Sequence, residues 1–226
     1  MIFKQVFDQK SSTYTYLIAS AEGREALIID PVLENIEDYI KLLNELNLKL
    51  VKVIDTHIHA DHVTGAGELR DKTKCVTIMG EHTPTDAVEV KVKDEEIIKL
   101  DQLKIKALYT PGHTSDSFSF LMDNCLFSGD TLLINGTGRT DFQNGSSTDA
   151  YNSIFNRLLT LPNETLLYPA HDYKGEKVST IGKEKKFNPR LQVNNVDEYI
   201  DIMNNLNLKK PAAIDFNVAS NLRLGT

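Results

Sequence analysis

Cysteine is scarce in this chain of 226 residues, which has only Cys75 and Cys125. Both lie in apolar, strand-like runs, so we expect two packed thiols and no disulfide. The lack of a disulfide framework is typical of a reducing compartment, and we therefore expect a cytoplasmic protein. Residues 1–7 alternate like a first strand, and they do not show the pattern of a signal or transit peptide.

Long apolar runs and blocks of basic charge are also missing. No apolar stretch approaches the roughly 20 residues of a membrane-spanning helix. The formal net charge is −7, so neither nucleic acid nor a membrane is an expected partner. Repeats, linkers and low-complexity segments are absent as well. We therefore expect residues 1–226 to form one domain with a short C-terminal helical extension.

The periodicity of apolar residues alternates between strand-like and helix-like segments. Alternating strand-like runs cover residues 2–7, 13–20 and 25–30 at the start of the chain. Helical spacing covers residues 36–46, 147–158 and 196–203, with Ser147 or Thr148 as the cap of the second helix and Asn195 as the cap of the third. The order of elements is strands, helix, strands, helix, strand and then helices. This order predicts two sheets packed face to face with helices outside.

A dense histidine motif is the most informative feature that is present. The segment His57-Ile58-His59-Ala60-Asp61-His62 holds three of the six histidines and a carboxylate, directly after a strand-like run. His113, Asp130 and His171 each follow another such run. Imidazole and carboxylate groups that converge on one point bind metal ions, so the pattern predicts a metal site at one edge of the sheets. His82 is left over and is expected to be an ordinary surface residue.

The order of these residues resembles the signature of the metallo-β-lactamase superfamily. The matching elements are His57-x-His59-x-Asp61-His62, then His113, Asp130 and His171. The resemblance implies an αββα sandwich, in which two packed mixed β-sheets are flanked by helices. It does not specify the reaction, because this fold carries hydrolases, nucleases and oxidoreductases.

Shorter motifs resemble one family within that superfamily, the persulfide dioxygenases, along nearly the whole chain. Two of them, Asn188-Pro189-Arg190 and the tail at 205–215, are not general to the superfamily. The other matching segments are residues 13–17, 29–34, 56–65, 128–130, 138–143 and 168–173.

The resemblance implies one Fe(II) ion per chain, held by His57, His113 and Asp130. Two imidazoles and one carboxylate form the ligand set of many non-heme Fe(II) oxygenases. Three coordination positions would remain open to the sulfur of a thiol persulfide and to O2. The implied reaction delivers both oxygen atoms to the outer sulfur and, with water, releases sulfite and the free thiol.

Four further residues leave a second interpretation open. The family resemblance makes them groups that orient the ligands and line the open face. In hydrolytic relatives the same residues would help to hold two zinc ions, as in a thioester hydrolase of the glyoxalase II type. These residues are His59, Asp61, His62 and His171.

Candidate substrate-binding residues lie outside the histidine motif. Arg139 is expected to bind an anionic thiol such as glutathione and to act in catalysis, although an ion pair with Asp141 is an equal alternative. Tyr173 is expected to point its hydroxyl at the bound substrate, as a second candidate catalytic residue, although a packed aromatic ring is an equal alternative. Arg223 is a weaker candidate for contact with a carboxylate of the thiol, because a solvated arginine is the simpler reading.

The chain departs from some members of the family at two positions. Thr137 and Leu224 stand where those members carry cysteines, so no pocket thiol is expected to take part. A fused rhodanese domain, found in some relatives, is not expected here, and a rhodanese-type sulfurtransferase would be a separate protein. The family also suggests a homodimer, while the identity of the carrier thiol stays open.

Overall fold

Two six-stranded β-sheets form the centre of the fold, which a computed structural model describes for residues 1–210 and 213–226. In the first sheet β1, β2 and β3 pair antiparallel, and β3 to β6 run parallel. The strands lie in chain order: β1 (Ile2–Asp8), β2 (Thr13–Ala19), β3 (Glu25–Ile29), β4 (Lys49–Ile54), β5 (Val76–Gly80) and β6 (Val90–Val92).

The second sheet has the strand order β14-β13-β10-β9-β8-β7. Only β10 and β13 pair in parallel within it, and the other neighbours are antiparallel. Its strands are β7 (Ile97–Leu100), β8 (Leu103–Tyr109), β9 (Phe118–Met122), β10 (Cys125–Gly129), β13 (Leu166–Pro169) and β14 (Ser179–Thr180). A separate two-stranded ribbon consists of β11 (Leu132–Leu133) and β12 (Gly136–Thr137).

Helices cover the outer faces of both sheets. The first sheet packs against α1 (Ile36–Glu45) and α2 (Ala66–Thr73). The second packs against α3 (Ser147–Phe155), α4 (Ile181–Phe187) and α5 (Val196–Asn204), and α6 (Ile214–Asn221) follows. These layers confirm the predicted αββα sandwich. Among the described residues, no helix has both the length and the apolar character needed to cross a bilayer.

Strand β2 shows why the two sheets stack. All seven of its residues are buried, and successive side chains of a strand point to opposite faces. Tyr16 and Ile18 join the core between the sheets, whereas Leu17 and Ala19 join the core under α1 and α2. A strand that is covered on both faces has no polar side. Alternation of polar and apolar residues therefore does not identify such a strand reliably in a sequence.

Most expected local features agree with the structure. Cys75 and Cys125 are buried free thiols, and His82 is exposed. The side chain of Asn195 caps α5 as predicted. The expected cap of α3, Ser147 or Thr148, is wrong: Ser146 has extended dihedral angles, and its hydroxyl accepts from the Asp149 amide. A helix begins after the last extended residue, so the cap falls one position earlier.

The strand directions explain why the functional candidates meet. In the first sheet β3 and β4 run parallel, and in the second β8, β10 and β13 point the same way. The carboxyl ends of all five strands reach one edge of the sandwich. There the sheets touch, because the Phe118 amide donates to the Thr56 carbonyl and the Tyr14 amide donates to that of Ala170.

A buried carboxylate holds the turn between β11 and β12 against α4. Glu184 of α4 is fully buried, and it accepts from the Asn135 amide at 2.8 Å and from Asn188 Nδ2 at 2.9 Å. The Ser179 hydroxyl also donates to it. A carboxylate that faces only donors is satisfied without a cation.

We expect Glu184→Gln to lower the free energy of unfolding by about 1–3 kcal/mol, because its amide group would turn an N–H toward buried donors. Urea denaturation measures the change. Glu164→Gln is the control, since Glu164 is exposed and should tolerate the exchange. Equal stability of the Glu184→Gln variant and the wild type would contradict this account.

Candidate metal centre

The histidine loop, residues 56–64, connects β4 to α2 and lies at the edge where the sheets meet. Its backbone is irregular, and side chains from other elements supply hydrogen-bond partners. The Thr56 amide donates to Asp30 Oδ1 at 2.7 Å, and the Ile58 amide donates to Asp116 Oδ2 at 3.0 Å. A buried loop needs such partners, because an unpaired backbone group is costly. The loop is therefore held in one conformation.

The three predicted iron ligands lie together at this edge. One potential ligand atom of each lies within 4.8 Å of the others in the group His57, His113 and Asp130. His113 Nε2 is 3.5 Å from Asp130 Oδ2. Gly112 and Gly129 precede the second and third residues, with φ of 143° and 54°. Such positive φ values favour glycine, so these glycines let the chain turn each ligand inward.

Hydrogen bonds leave one imidazole nitrogen free on each of the two histidines in this group. His57 Nδ1 lies 2.9 Å from the Thr56 hydroxyl oxygen, and His113 Nδ1 donates to the Arg139 carbonyl at 2.7 Å. A metal-bound histidine commonly uses its other nitrogen in this way, which fixes the tautomer and the ring orientation. The Nε2 atoms of both rings therefore face the candidate metal position.

His171 bridges two carboxylates. Its Nδ1 lies 2.7 Å from Asp130 Oδ1, its Nε2 lies 2.7 Å from Asp61 Oδ2, and the Thr13 hydroxyl is 3.1 Å from the same Nε2. Burial lowers the pKa of His171, but the two carboxylates outweigh it and hold that pKa well above its ordinary value. A ring that donates from both nitrogens has no lone pair for a metal. Because His171 contacts only Oδ1 of Asp130, Asp130 Oδ2 remains available to a metal ion.

His59 and His62 are arranged differently. His59 Nε2 lies 3.1 Å from Asp30 Oδ1, and His62 Nδ1 lies 2.9 Å from Asp61 Oδ2. Burial lowers the pKa of His59, but Asp30, supported by Asp61 and Asp55, raises it to about 9. The other nitrogens, His59 Nδ1 and His62 Nε2, are buried without a hydrogen-bond partner within the described residues. Only after loss of its proton would His59 Nδ1 join His62 Nε2 in holding a second cation, so the role of both residues as ligand-orienting groups stays a prediction.

The guanidinium of Arg139 is already engaged. It makes two hydrogen bonds to Asp141, of 2.6 and 2.7 Å, and donates to the carbonyls of Leu208 and Lys209. The ion pair considered from the sequence is thus present, and the substrate role of Arg139 stays a prediction. A cavity of about 450 Å³ adjoins this side chain. Its lining includes Arg139, Thr140, Ser147, Met203 and Leu208.

The other predicted substrate-binding residues lie on the surface. Tyr173 is 73% exposed, with its ring parallel to that of His171 and the centroids 6.1 Å apart. Arg223 is exposed, and its guanidinium donates to the carbonyl of residue 226. Thr137 and Leu224, which replace family cysteines, are both buried. The contact of Tyr173 or Arg223 with substrate stays a prediction.

Five residues that hold the histidine loop were not singled out from the sequence. Asp30 accepts from it, Asp116 does likewise, and Gln143 donates to the Ile58 carbonyl at 2.6 Å. The remaining two are Asn217 and Asn221. All five form hydrogen bonds with backbone groups of the loop. The spacing of residues in the sequence does not reveal such contacts. Asp30 and Gln143 do fall within the motifs 29–34 and 138–143, which was the available signal.

The fold and this ligand geometry define the class of protein. The profile of the metallo-β-lactamase superfamily matches residues 9–87 and 80–171. The crystal structure of ETHE1 from Myxococcus xanthus superposes with a TM-score of 0.97 and 46% sequence identity, covering 100% of both chains. The chain is thus a metallo-β-lactamase-fold protein, and its relatives narrow the class further.

Curated relatives identify the family within this class. Human persulfide dioxygenase ETHE1, a mitochondrial protein by its name, is 41% identical over 100% of this chain and 89% of its own length. A probable hydroxyacylglutathione hydrolase of Schizosaccharomyces pombe is 31% identical over 80% of this chain and 82% of its own length. This chain belongs to the persulfide dioxygenase family, which confirms the resemblance drawn from its motifs.

Gly138 offers a test of the ligand geometry. A methyl group at this position would overlap the Asp130 carbonyl oxygen and lie 2.9 Å from the His113 ring. We expect Gly138→Ala to weaken metal binding by roughly 10-fold or more, the scale found when groups around metal ligands are disturbed. Chelator competition measures the affinity. Gly136→Ala is the matched control, because the nearest atoms there are 4.0 Å away. Wild-type affinity in Gly138→Ala would refute the geometry.

Proposed function

We propose that this protein is a mononuclear non-heme iron persulfide dioxygenase. It oxidises a low-molecular-weight thiol persulfide with O2 and water, and it releases sulfite and the free thiol. One observation supports this function beyond family membership. Hydrogen bonds occupy Nδ1 of His57 and Nδ1 of His113, and His171 occupies Asp130 Oδ1. Two imidazole nitrogens and one carboxylate oxygen remain to bind a metal.

This donor set fits Fe(II). At these three atoms Fe(II) would supply open coordination positions and the redox chemistry that O2 requires. Two neutral imidazoles and one carboxylate leave part of the positive charge uncompensated, which favours an anionic sulfur ligand. The coordinating side chains of His113 and Asp130 are about one-eighth exposed, so one side of the site stays open to small molecules.

The surrounding residues hold this geometry. His171 donates to Asp130 Oδ1 and keeps the other carboxylate oxygen turned toward the centre. Burial raises the pKa of Asp130, but the charge and hydrogen bond of His171 lower it below its ordinary value, so the group stays ionised and able to bind a cation. The Arg139 carbonyl keeps His113 Nε2 inward. Fixed ligands of this kind lose little freedom when the centre assembles.

We place the carrier part of the thiol in the cavity beside Arg139. The backbone carbonyl of Arg139 contacts His113, while its side chain lines the cavity, so one residue connects the two. The chain as a whole is acidic, and an anionic thiol therefore needs local positive charge. A glutathione-like thiol fits these features.

A dinuclear thioester hydrolase is the second candidate. The unpartnered nitrogens of His59 and His62 favour it, because they could serve a second ion. The orientation of His171 counts against it, since both of its nitrogens face carboxylates at 2.7 Å. The second metal of a hydrolase would need His171 to release one of them. The geometry therefore favours the single-metal dioxygenase.

Dioxygen uptake tests the proposed function. The Fe(II)-loaded protein should consume O2 when glutathione persulfide is added, and sulfite should form in equal amount. S-lactoylglutathione serves as the comparison substrate and should not be hydrolysed. Hydrolysis of the thioester without O2 uptake would reject the dioxygenase and favour the dinuclear hydrolase.

Arg139→Ala tests the thiol site. We expect it to raise KM for the persulfide on the order of 10-fold and to lower kcat less, because a charge-assisted hydrogen bond contributes about 1.5–3 kcal/mol. Asp141→Ala is the control, since it removes the ion pair but keeps the guanidinium. An unchanged KM in Arg139→Ala would remove Arg139 from the thiol site.

A further inference from the structure

Helix α6 reaches into the histidine loop from the far end of the chain. Asn217 and Asn221 lie four residues apart, so they project from the same face of the helix. Both are buried, and Asn221 is only 1% exposed. Buried asparagine side chains require hydrogen-bond partners. These two find theirs on the backbone of the loop.

The amide of Asn221 binds three backbone groups of the loop. Its Nδ2 donates to the His59 carbonyl at 2.8 Å and to the His62 carbonyl at 2.9 Å. Its Oδ1 accepts from the Thr64 amide at 2.9 Å. An asparagine side chain has two N–H donors and one carbonyl acceptor, so each of its groups has a partner here.

Asn217 extends the same arrangement. Its Nδ2 donates to the Ala60 carbonyl at 2.9 Å. Together the two amides therefore bind three loop carbonyls, those of residues 59, 60 and 62. All three lie just after His57, the first predicted ligand. A buried carbonyl that is left unpaired destabilises the fold, and an irregular loop cannot pair it within a sheet.

We propose that Asn221, together with Asn217, is a positioning residue of the metal centre. The pair sets the backbone of residues 59–64, and through that backbone the directions of the His59 and His62 rings and of His57. The inference rests on the metal centre proposed above, but not on the reaction that the centre performs. Neither asparagine is assigned a contact with metal or substrate.

The helix is anchored independently of these amides. The Thr85 hydroxyl donates to the Leu222 carbonyl at 2.6 Å, and the Gly67 amide donates to the Leu224 carbonyl at 3.0 Å. Leu224 is buried and packs with Ile58 and Met79. These contacts should keep the C-terminal segment in place when an asparagine is removed. Loss of metal affinity can therefore be separated from loss of the fold.

Asn221→Ala is the test, with two readouts that do not depend on turnover. The dissociation constant for Co(II) is measured by chelator competition, and the visible spectrum of the Co(II) form reports the ligand geometry. We expect binding roughly 10-fold weaker or more, the usual range for residues that support metal ligands, and an altered spectrum. Asn217→Ala should show a smaller loss, because it breaks one hydrogen bond instead of three.

Thr85→Val is the matched control. It removes an anchor of the same segment without touching the histidine loop, so it should lower the melting temperature of the apoprotein while Co(II) affinity and spectrum stay at wild-type values. Wild-type Co(II) affinity in Asn221→Ala would overturn the proposal. So would a loss equal to that of Thr85→Val.

Two further outcomes are also decisive. If Asn221→Ala does not fold, Asn217→Ala carries the test, and wild-type affinity and spectrum in that variant would overturn the proposal. If the wild-type protein binds Co(II) but does not oxidise persulfide after iron loading, the proposed reaction fails. The positioning role is then still decided by the Co(II) measurements.

Discussion

The buried backbone of the histidine loop is the constraint on which the rest of the site depends. Residues 56–64 carry His57 and the further candidates His59, Asp61 and His62, yet they form no regular strand or helix. Their polar backbone groups must still be paired, since little water reaches them. Those partners are the side chains of Asp30 directly after β3, Asp116, Gln143 and the two asparagines of α6. The site is thus assembled by the whole sandwich.

A second level of hydrogen bonds decides which atoms are free to bind a metal. Thr56 and the Arg139 carbonyl occupy one nitrogen of His57 and His113, and His171 occupies one oxygen of Asp130. The remaining three atoms match a two-histidine, one-carboxylate centre. In the proposed centre His171 orients Asp130 and is not itself a ligand. The same residues could form a one-metal or a two-metal centre, and the orientation of their side chains favours the one-metal centre.

Much of the fold and of the metal cluster could be predicted from the sequence. The strand-like runs before His57 and His113 predicted that these side chains converge at one edge. The two sheets bring them together there. The contacts of Asn221 could not be predicted, because they join backbone groups about 160 positions away, and spacing carries no information about such contacts. The hydrogen bonds from Arg139 to the carbonyls of residues 208 and 209 could not be predicted for the same reason.

The central claim is that one metal ion binds at the free atoms of His57, His113 and Asp130. Anomalous diffraction at the iron absorption edge, from crystals of iron-loaded protein, tests it most directly. The account predicts one iron peak per chain, within coordination distance of His57 Nε2, His113 Nε2 and Asp130 Oδ2. A second peak of similar height beside His62 and Asp61, or a single peak bound by His171, would contradict it.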